Sequence, residues 1–386
     1  MKQCIDHLDL SCSTQSQSFI PMTDKNRRKF IRNSSLALAA AATATLTSCK
    51  EKKAQSVEAP YINFNKTFKW KMVTTWPPNF PVLGEGCKLM AKWISTMSGG
   101  RMEIEVYGGG ELIPSLESFD AVSHGAVEMA SGSGYYWAGK IPAAQLFSSI
   151  PFGMNSQSMN AWILNGGGLD LWKELYAPFN LIPLPGGNTG SQAGGWYNKE
   201  INSIEDYKGL KIRMPGIGGK VINKIGGTSV LVAGSELYTN LERGVIDATE
   251  WIGPYHDYKM GFHRVAKNYY FPGWHEPGTV LETTINRSKF ESLPADLQKI
   301  IVVANDKLNH WMLLEFETQN AIYLEKIKTE GVNIKRFPNE VIYKMKELSK
   351  EVLHELVETN EPLSKIYHHF SNFEKKARAW KELSQI

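Results

Sequence analysis
Short apolar runs of strand length alternate with longer stretches of helical spacing through the first two thirds of the chain. Strand-like runs fall at residues 68–75, 102–107 and 127–131, and the apolar positions of 82–97 and 116–124 recur at the spacing of a helix face. After the breaker Pro185-Gly186-Gly187 the pattern restarts, with strand runs at 192–197, 210–214, 229–232 and 246–251 interleaved with helices near 220–225 and 236–243. Alternation of this kind predicts parallel-rich sheets with helices on their faces, and the restart predicts a second α/β lobe.

The last third changes character. From Pro294, placed at a helix start where its missing N–H costs nothing, Leu297, Ile301, Ala304, Leu308 and Trp311 hold one stripe with no breaker before Gly331. That spacing predicts one long helix. A second stripe follows Pro338, formed by Val341, Met345, Leu348, Val352 and Leu356, with charge on the other faces. It has two readings: a helix packed on its own sheet, or a contact between two copies of the chain.

The amino-terminal region, 1–48, reads as an export leader. Asn26-Arg27-Arg28-Lys29-Phe30-Ile31-Arg32 is a twin-arginine pattern, and an Ala-rich apolar run at 36–46 follows it. That run is too short to span a bilayer, which takes about 20 apolar residues. Leu46-Thr47-Ser48-Cys49 resembles a lipobox, implying cleavage before Cys49 and lipid attachment there; an ordinary signal peptide with an incidental cysteine is the other reading. Residues 49–67 are polar and read as a tether. Of the four cysteines only Cys87 then remains in the body, which excludes an internal disulfide and any CxxC redox or zinc site. The chain carries 43 Lys and Arg against 39 Asp and Glu, and the leader holds most of the excess. No basic footprint for nucleic acid remains.

Enzyme signatures are missing: there is no GxSxG, GxxxxGK[ST], HExxH or strand-following GxGxxG. Gly216-Ile-Gly-Gly-Lys220 resembles a phosphate loop, but Val221 stands where Ser or Thr would hold magnesium, so it reads as a flexible turn into the next helix. His256, His263 and His275 fall in loops or helix ends and read as polar or packing residues. Polar groups do gather at strand ends. Arg213, permanently charged, closes an apolar strand just before Pro215-Gly216, where open α/β sheets place ligand crevices. Gln192, Asp247, Glu250 and Trp251 lie at the ends of two others, and Glu276 follows on a loop. Carboxylates and an amide oxygen are hard donors, suited to calcium or sodium.

Gly190-x-Gln192-x-Gly-Gly-Trp196-Tyr197, Leu210-Lys-Ile-Arg213-Met-Pro, Gly244-x-Ile-Asp-Ala-x-Glu250-Trp251-x-Gly-Pro-Tyr and Trp274-His-Glu-Pro-Gly278 occur in that order. Together they resemble the extracytoplasmic solute-binding subunits of TRAP transporters, closest to the branch that binds 2-oxo or 2-hydroxy monocarboxylates. The resemblance covers 68–360. It implies a two-lobed periplasmic-binding-protein-like α/β fold with crossing strands, a long bracing helix and C-terminal helices. One lobe is expected from 68–190 plus 277–320, the other from 191–276, and the C-terminal helices from 321–386.

The same resemblance implies roles. Arg213 pairs the substrate carboxylate; Gln192, Glu250, the carbonyl of Trp251 and Glu276 hold a cation; Trp76, Tyr135 and Tyr136 wall the pocket. The second carboxylate, Glu276, favours a divalent ion by charge balance. The implied function is periplasmic capture of a small 2-oxo or 2-hydroxy monocarboxylate as a metal chelate, for delivery to a TRAP membrane permease, with pairing of two copies through the C-terminal helices. Two other readings stand beside it: a periplasmic metal-dependent enzyme with Glu250 or Glu276 as general base, and a binding protein that serves a sensor.

Overall fold
Two mixed sheets carry the body of the chain in the computed structural model, which describes residues 65–384. The twin-arginine segment, the apolar run, Cys49 and nearly all of the tether lie outside the described residues. The first sheet has the order β2-β1-β3-β10-β4, built from β1 (Phe68–Thr74), β2 (Met102–Tyr107), β3 (Met129–Gly132), β4 (Leu181–Asn188) and β10 (Val280–Asn286). The second runs β11-β9-β5-β8-β6-β7, from β5 (Gly195–Tyr197), β6 (Lys211–Arg213), β7 (Thr228–Val230), β8 (Ala248–Thr249), β9 (Asn268–Phe271) and β11 (Asn333–Arg336).

Most pairs are parallel. The exceptions involve β5 and β10, each antiparallel to both its neighbours. These are the strands that receive the chain as it crosses directly from one sheet to the other, whereas β11, reached from β10 through the long helix, is parallel to β9. The two crossing stretches run side by side: Thr189 N donates to Thr279 O at 2.9 Å, and Gln192 N to Glu276 O at 3.2 Å.

Strand alternation sends neighbouring side chains into two apolar layers. Met72, Trp196 and Tyr269 enter one, and Val73, Tyr197 and Tyr270 the other. The first layer is covered by the helix Leu83–Met97 and by the 35-residue helix Ala295–Thr329 through Leu297, Ile301, Leu308, Met312 and Phe316. Each such buried side chain contributes roughly 1.5–3 kcal/mol. The long helix packs on β4, on Leu83–Met97 and on the helix Pro254–Met260, so it braces elements of both sheets. Arg101 pairs with Asp296 at its first turn.

Three local expectations are corrected. Pro185-Gly186-Gly187 is not a break but part of β4, which bulges at Gly186, the residue left unpaired where Leu281 pairs with Gly187 and Glu282 with Pro185. Glycine is required there because a Cβ on Gly186 would stand 2.2 Å from Thr283 Oγ1, and one on Gly187 would stand 2.3 Å from Met312 Sδ. The segment 321–386 is not wholly helical, since β11 pairs with β9. The turn expected at 216–220 is helix from Gly216 to Lys224, its inner glycines admitting His275 and Met214 at close range. The stripe Val341, Met345, Leu348 and Val352 is buried within the chain, its helix Asn339–Thr359 packing on Gly216–Lys224. The last helix, Glu361–Ser384, buries Leu363, Ile366 and Phe370.

Candidate functional site
Arg213 ends β6 and Glu250 follows β8. Because these strands are parallel neighbours with Arg213 beside Thr249, both side chains emerge at the same carboxyl edge. Arg213 Nη1 donates to the Glu250 carboxylate and, at 3.3 Å, to the Glu250 carbonyl oxygen; Nη2 donates to the Tyr136 hydroxyl at 3.3 Å. The guanidinium sits 5.2 Å from the centre of the Trp251 ring. Arg213 and Glu250 are each 1 % exposed. Burial alone would lower the guanidinium pKa, but Glu250 and neighbouring groups more than offset it, and the pKa lies above its ordinary value.

The crossing stretches supply the rest. Glu276 accepts from Thr279 Oγ1 at 2.6 Å, and Gln192 Nε2 donates to Thr189 Oγ1 at 3.0 Å, which leaves Gln192 Oε1 buried without a partner among the described residues. His275 Nε2 lies 3.4 Å from the second oxygen of Glu250. Ligand atoms of Glu250, His275 and Glu276 all fall within 4.8 Å of one another. Burial, then the charge of Glu250, pushes the Glu276 carboxyl up to about 7. One guanidinium thus faces two carboxylates in a buried place, an imbalance that a bound cation would relieve. The orphan amide oxygen and two carboxylates fit a hard cation. Glu250, His275 and Glu276 could offer ligand atoms to one, with the Gln192 amide oxygen a further hard donor on the neighbouring crossing stretch.

Aromatic rings close the site from the first sheet. Trp76 donates through Nε1 to Ser131 Oγ at 3.1 Å and lies 6.3 Å from Tyr136, which meets Tyr135 edge-on at 4.9 Å. Burial raises the pKa of both tyrosines, so their hydroxyls remain neutral.

The structure therefore brings Trp76, Gln192, Arg213, Glu250, Trp251 and Glu276, all buried, and the half-buried Tyr136 into one group drawing on both sheets. Asp247 is not part of it, accepting instead from Lys211 N at 2.8 Å. His256, bonded to the Pro81 carbonyl at 2.8 Å, and His263, stacked on Tyr258 at 4.4 Å, are packing residues. His275 is not, and its position directly before Glu276 was the signal available. Asp257 gave no sequence signal. Buried, it accepts from Trp196 Nε1 at 3.0 Å, Tyr269 OH at 2.8 Å, and the backbone of Ile252 and Gly253 at 3.3 and 3.2 Å, and so fixes the loop that follows Trp251.

The family model for bacterial extracellular solute-binding protein, family 7 (DctP), matches residues 72–360. The chain belongs to the DctP family. Over 360 residues this DctP-family chain is 37% identical to a monocarboxylate 2-oxoacid-binding periplasmic protein of Nostoc sp., covering 93% of the chain and 97% of the relative. Among solved structures, a TRAP periplasmic solute-binding protein from Pseudoalteromonas atlantica with bound sodium and pyruvate is 39% identical with a TM-score of 0.80, covering 83% of this chain and 97% of its own. Another, from Colwellia psychrerythraea with bound calcium and pyruvate, is 40% identical with a TM-score of 0.80, covering 83% and 98%. The DctP-family chain is thus a TRAP-type solute-binding protein with the two-lobed α/β fold of these neighbours, and its family places it outside the cytoplasm.

Proposed function
We propose that this receptor captures a small 2-oxo or 2-hydroxy monocarboxylate as a chelate of calcium or sodium and delivers it to a TRAP membrane permease. The observation that carries the reading is the buried Arg213–Glu250 pair set beside Glu276 and the unpartnered Gln192 Oε1. Arg213 takes the ligand carboxylate with a charge-assisted bond. The cation takes a carboxylate oxygen and the adjacent 2-oxygen of the ligand, and is held by Gln192, Glu250, Glu276 and the Trp251 carbonyl. Trp76, Tyr136 and the Trp251 ring exclude water. No covalent step is required. The 2-oxoacid name of the Nostoc relative and pyruvate in both neighbouring structures support the ligand class. Mass spectrometry of ligand retained by natively purified protein, with metal analysis on the same sample, tests this. A retained compound lacking a carboxylate would reject it.

In this reading the two sheets are the cores of two lobes, 68–190 with 277–320 and 191–276 joined by β11, which close on the ligand about the crossing stretches. Twin-arginine export, lipid attachment at Cys49 and pairing of two copies through the C-terminal helices extend the proposal. The first two rest on the leader pattern; the third is supported by Trp380 and Leu383, 71% and 87% exposed on the last helix. A Cys49→Ala protein that still fractionates with membranes, or a processed chain that sediments as a monomer, rejects the respective extension.

A further inference from the structure
A cavity of about 10 Å³ lies beside the site, bounded by Tyr135, Gln145 and Ser149 on one side and by Gly216, His275 and Glu276 on the other. That is the size of one water molecule or one hydroxyl group. Three polar atoms of its lining residues have no partner among the described residues: Gln145 Oε1, Ser149 Oγ and His275 Nδ1. Gln145, Ser149 and His275 are only 1%, 7% and 2% exposed. Buried polar atoms are nearly always paired, so three orphans at one small cavity call for a hydrogen-bonding occupant.

The remaining atoms of these side chains are committed. Gln145 Nε2 donates to the Pro142 carbonyl at 2.7 Å, and His275 Nε2 faces Glu250. Gly216 keeps the space open, since a Cβ there would stand 3.1 Å from Tyr135 Cβ and 3.8 Å from Gln145 Oε1. The set offers an acceptor at Gln145 and a donor at Ser149, which a hydroxyl satisfies together because it both gives and takes a proton. A second carboxylate would meet Glu276 and the Gln145 oxygen with no proton to give them. A methyl group would leave all three atoms unpaired.

We propose that this cavity receives a hydroxyl on the third carbon of the ligand, so that the receptor selects 3-hydroxy-2-oxo monocarboxylates over alkyl analogues of equal size. The proposal rests on the chelate reading above, because Glu276 both lines the cavity and would hold the cation. His275, which carries one of the orphan atoms, directly precedes Glu276.

The test is calorimetry of 3-hydroxypyruvate, 2-oxobutyrate and pyruvate against the processed protein in saturating calcium. The first two ligands differ by a hydroxyl in place of a methyl. The hydroxylated ligand should bind at least about tenfold tighter than 2-oxobutyrate, and Ser149→Ala and Gln145→Met should each shrink that ratio to within about threefold. Equal or tighter binding of 2-oxobutyrate by the wild type overturns the proposal and is the result expected if a fixed water fills the cavity. A preference that survives both substitutions also overturns it, placing the discriminating contact elsewhere. Failure of all three ligands, pyruvate included, rejects the chelate reading and this proposal with it.

Discussion
Replacing Arg213 by lysine separates its two partners. Both side chains of the Arg213–Glu250 pair are almost wholly enclosed, at 2% and 1% exposure. Arg213→Ala would leave the Glu250 carboxylate buried without its cation, a loss of about 3–5 kcal/mol that would confound stability with binding. Lysine keeps a positive charge beside Glu250 but lacks the planar fork that reaches Glu250 and Tyr136 together. If the fork also engages the ligand carboxylate, Arg213→Lys forfeits one charge-assisted bond, about 1.5–3 kcal/mol, or roughly 10- to 150-fold in dissociation constant. Calorimetry with pyruvate in excess calcium reads the affinity, and the melting temperature of ligand-free protein from the same preparation reads the stability. Affinity within about threefold of wild type, under roughly 1 kcal/mol, would refute the ligand role. So would a stability loss as large as the binding loss, which would make Arg213 a brace between β6 and the segment after β8.

Two further predictions concern buried carboxyls. Glu282 accepts from Trp137 Nε1 and Tyr176 OH, and burial pushes its pKa from 4.5 up to about 7. A raised carboxyl pKa means the folded state holds its proton longer, so this stabilisation is full below the unfolded value and is lost as pH rises through about 7, worth about 3 kcal/mol; denaturant unfolding at pH 5 and pH 8 should show Glu282→Gln gaining on wild type by that order, and an unchanged difference would contradict it. Asp257→Asn turns an amide toward two of the four N–H and O–H donors that now meet a carboxylate, costing about 1–3 kcal/mol and loosening the loop after Trp251; both melting temperature and pyruvate affinity should fall, and retention of wild-type affinity would remove its positioning role.

Much of the fold was legible because it rests on local periodicity. The helix starting after Pro294 runs to Thr329, just before the Gly331 that the stripe indicated, and the strand at 102–107 lies where its apolar run put it. What the sequence could not show depends on contacts between distant segments. Gly186 and Gly187 read as a break because glycine usually marks one, whereas here they admit Thr283 and Met312. β11 is a four-residue edge strand, Asn-Ile-Lys-Arg, with no buried face to impose alternation. Arg213 stood out because an unneutralisable charge in an apolar strand demands a partner. Its pairing with Glu250 was not legible, since it depends on the register of β6 against β8. Asp257 was silent for the same reason: its donors come from β5, β9 and the loop before its own helix.

The sharpest measurement is the linkage between cation and ligand. If Glu250, Glu276 and Gln192 hold a cation that the carboxylate also contacts, each ligand must strengthen the other by the same factor. Pyruvate titrated into protein stripped by chelator, and confirmed metal-free, should bind at least about 100-fold more weakly than into the same protein reloaded with calcium, a difference of roughly 2.7 kcal/mol. Undiminished affinity in the stripped protein would contradict the chelate and leave a pocket that recognises the carboxylate through Arg213 alone.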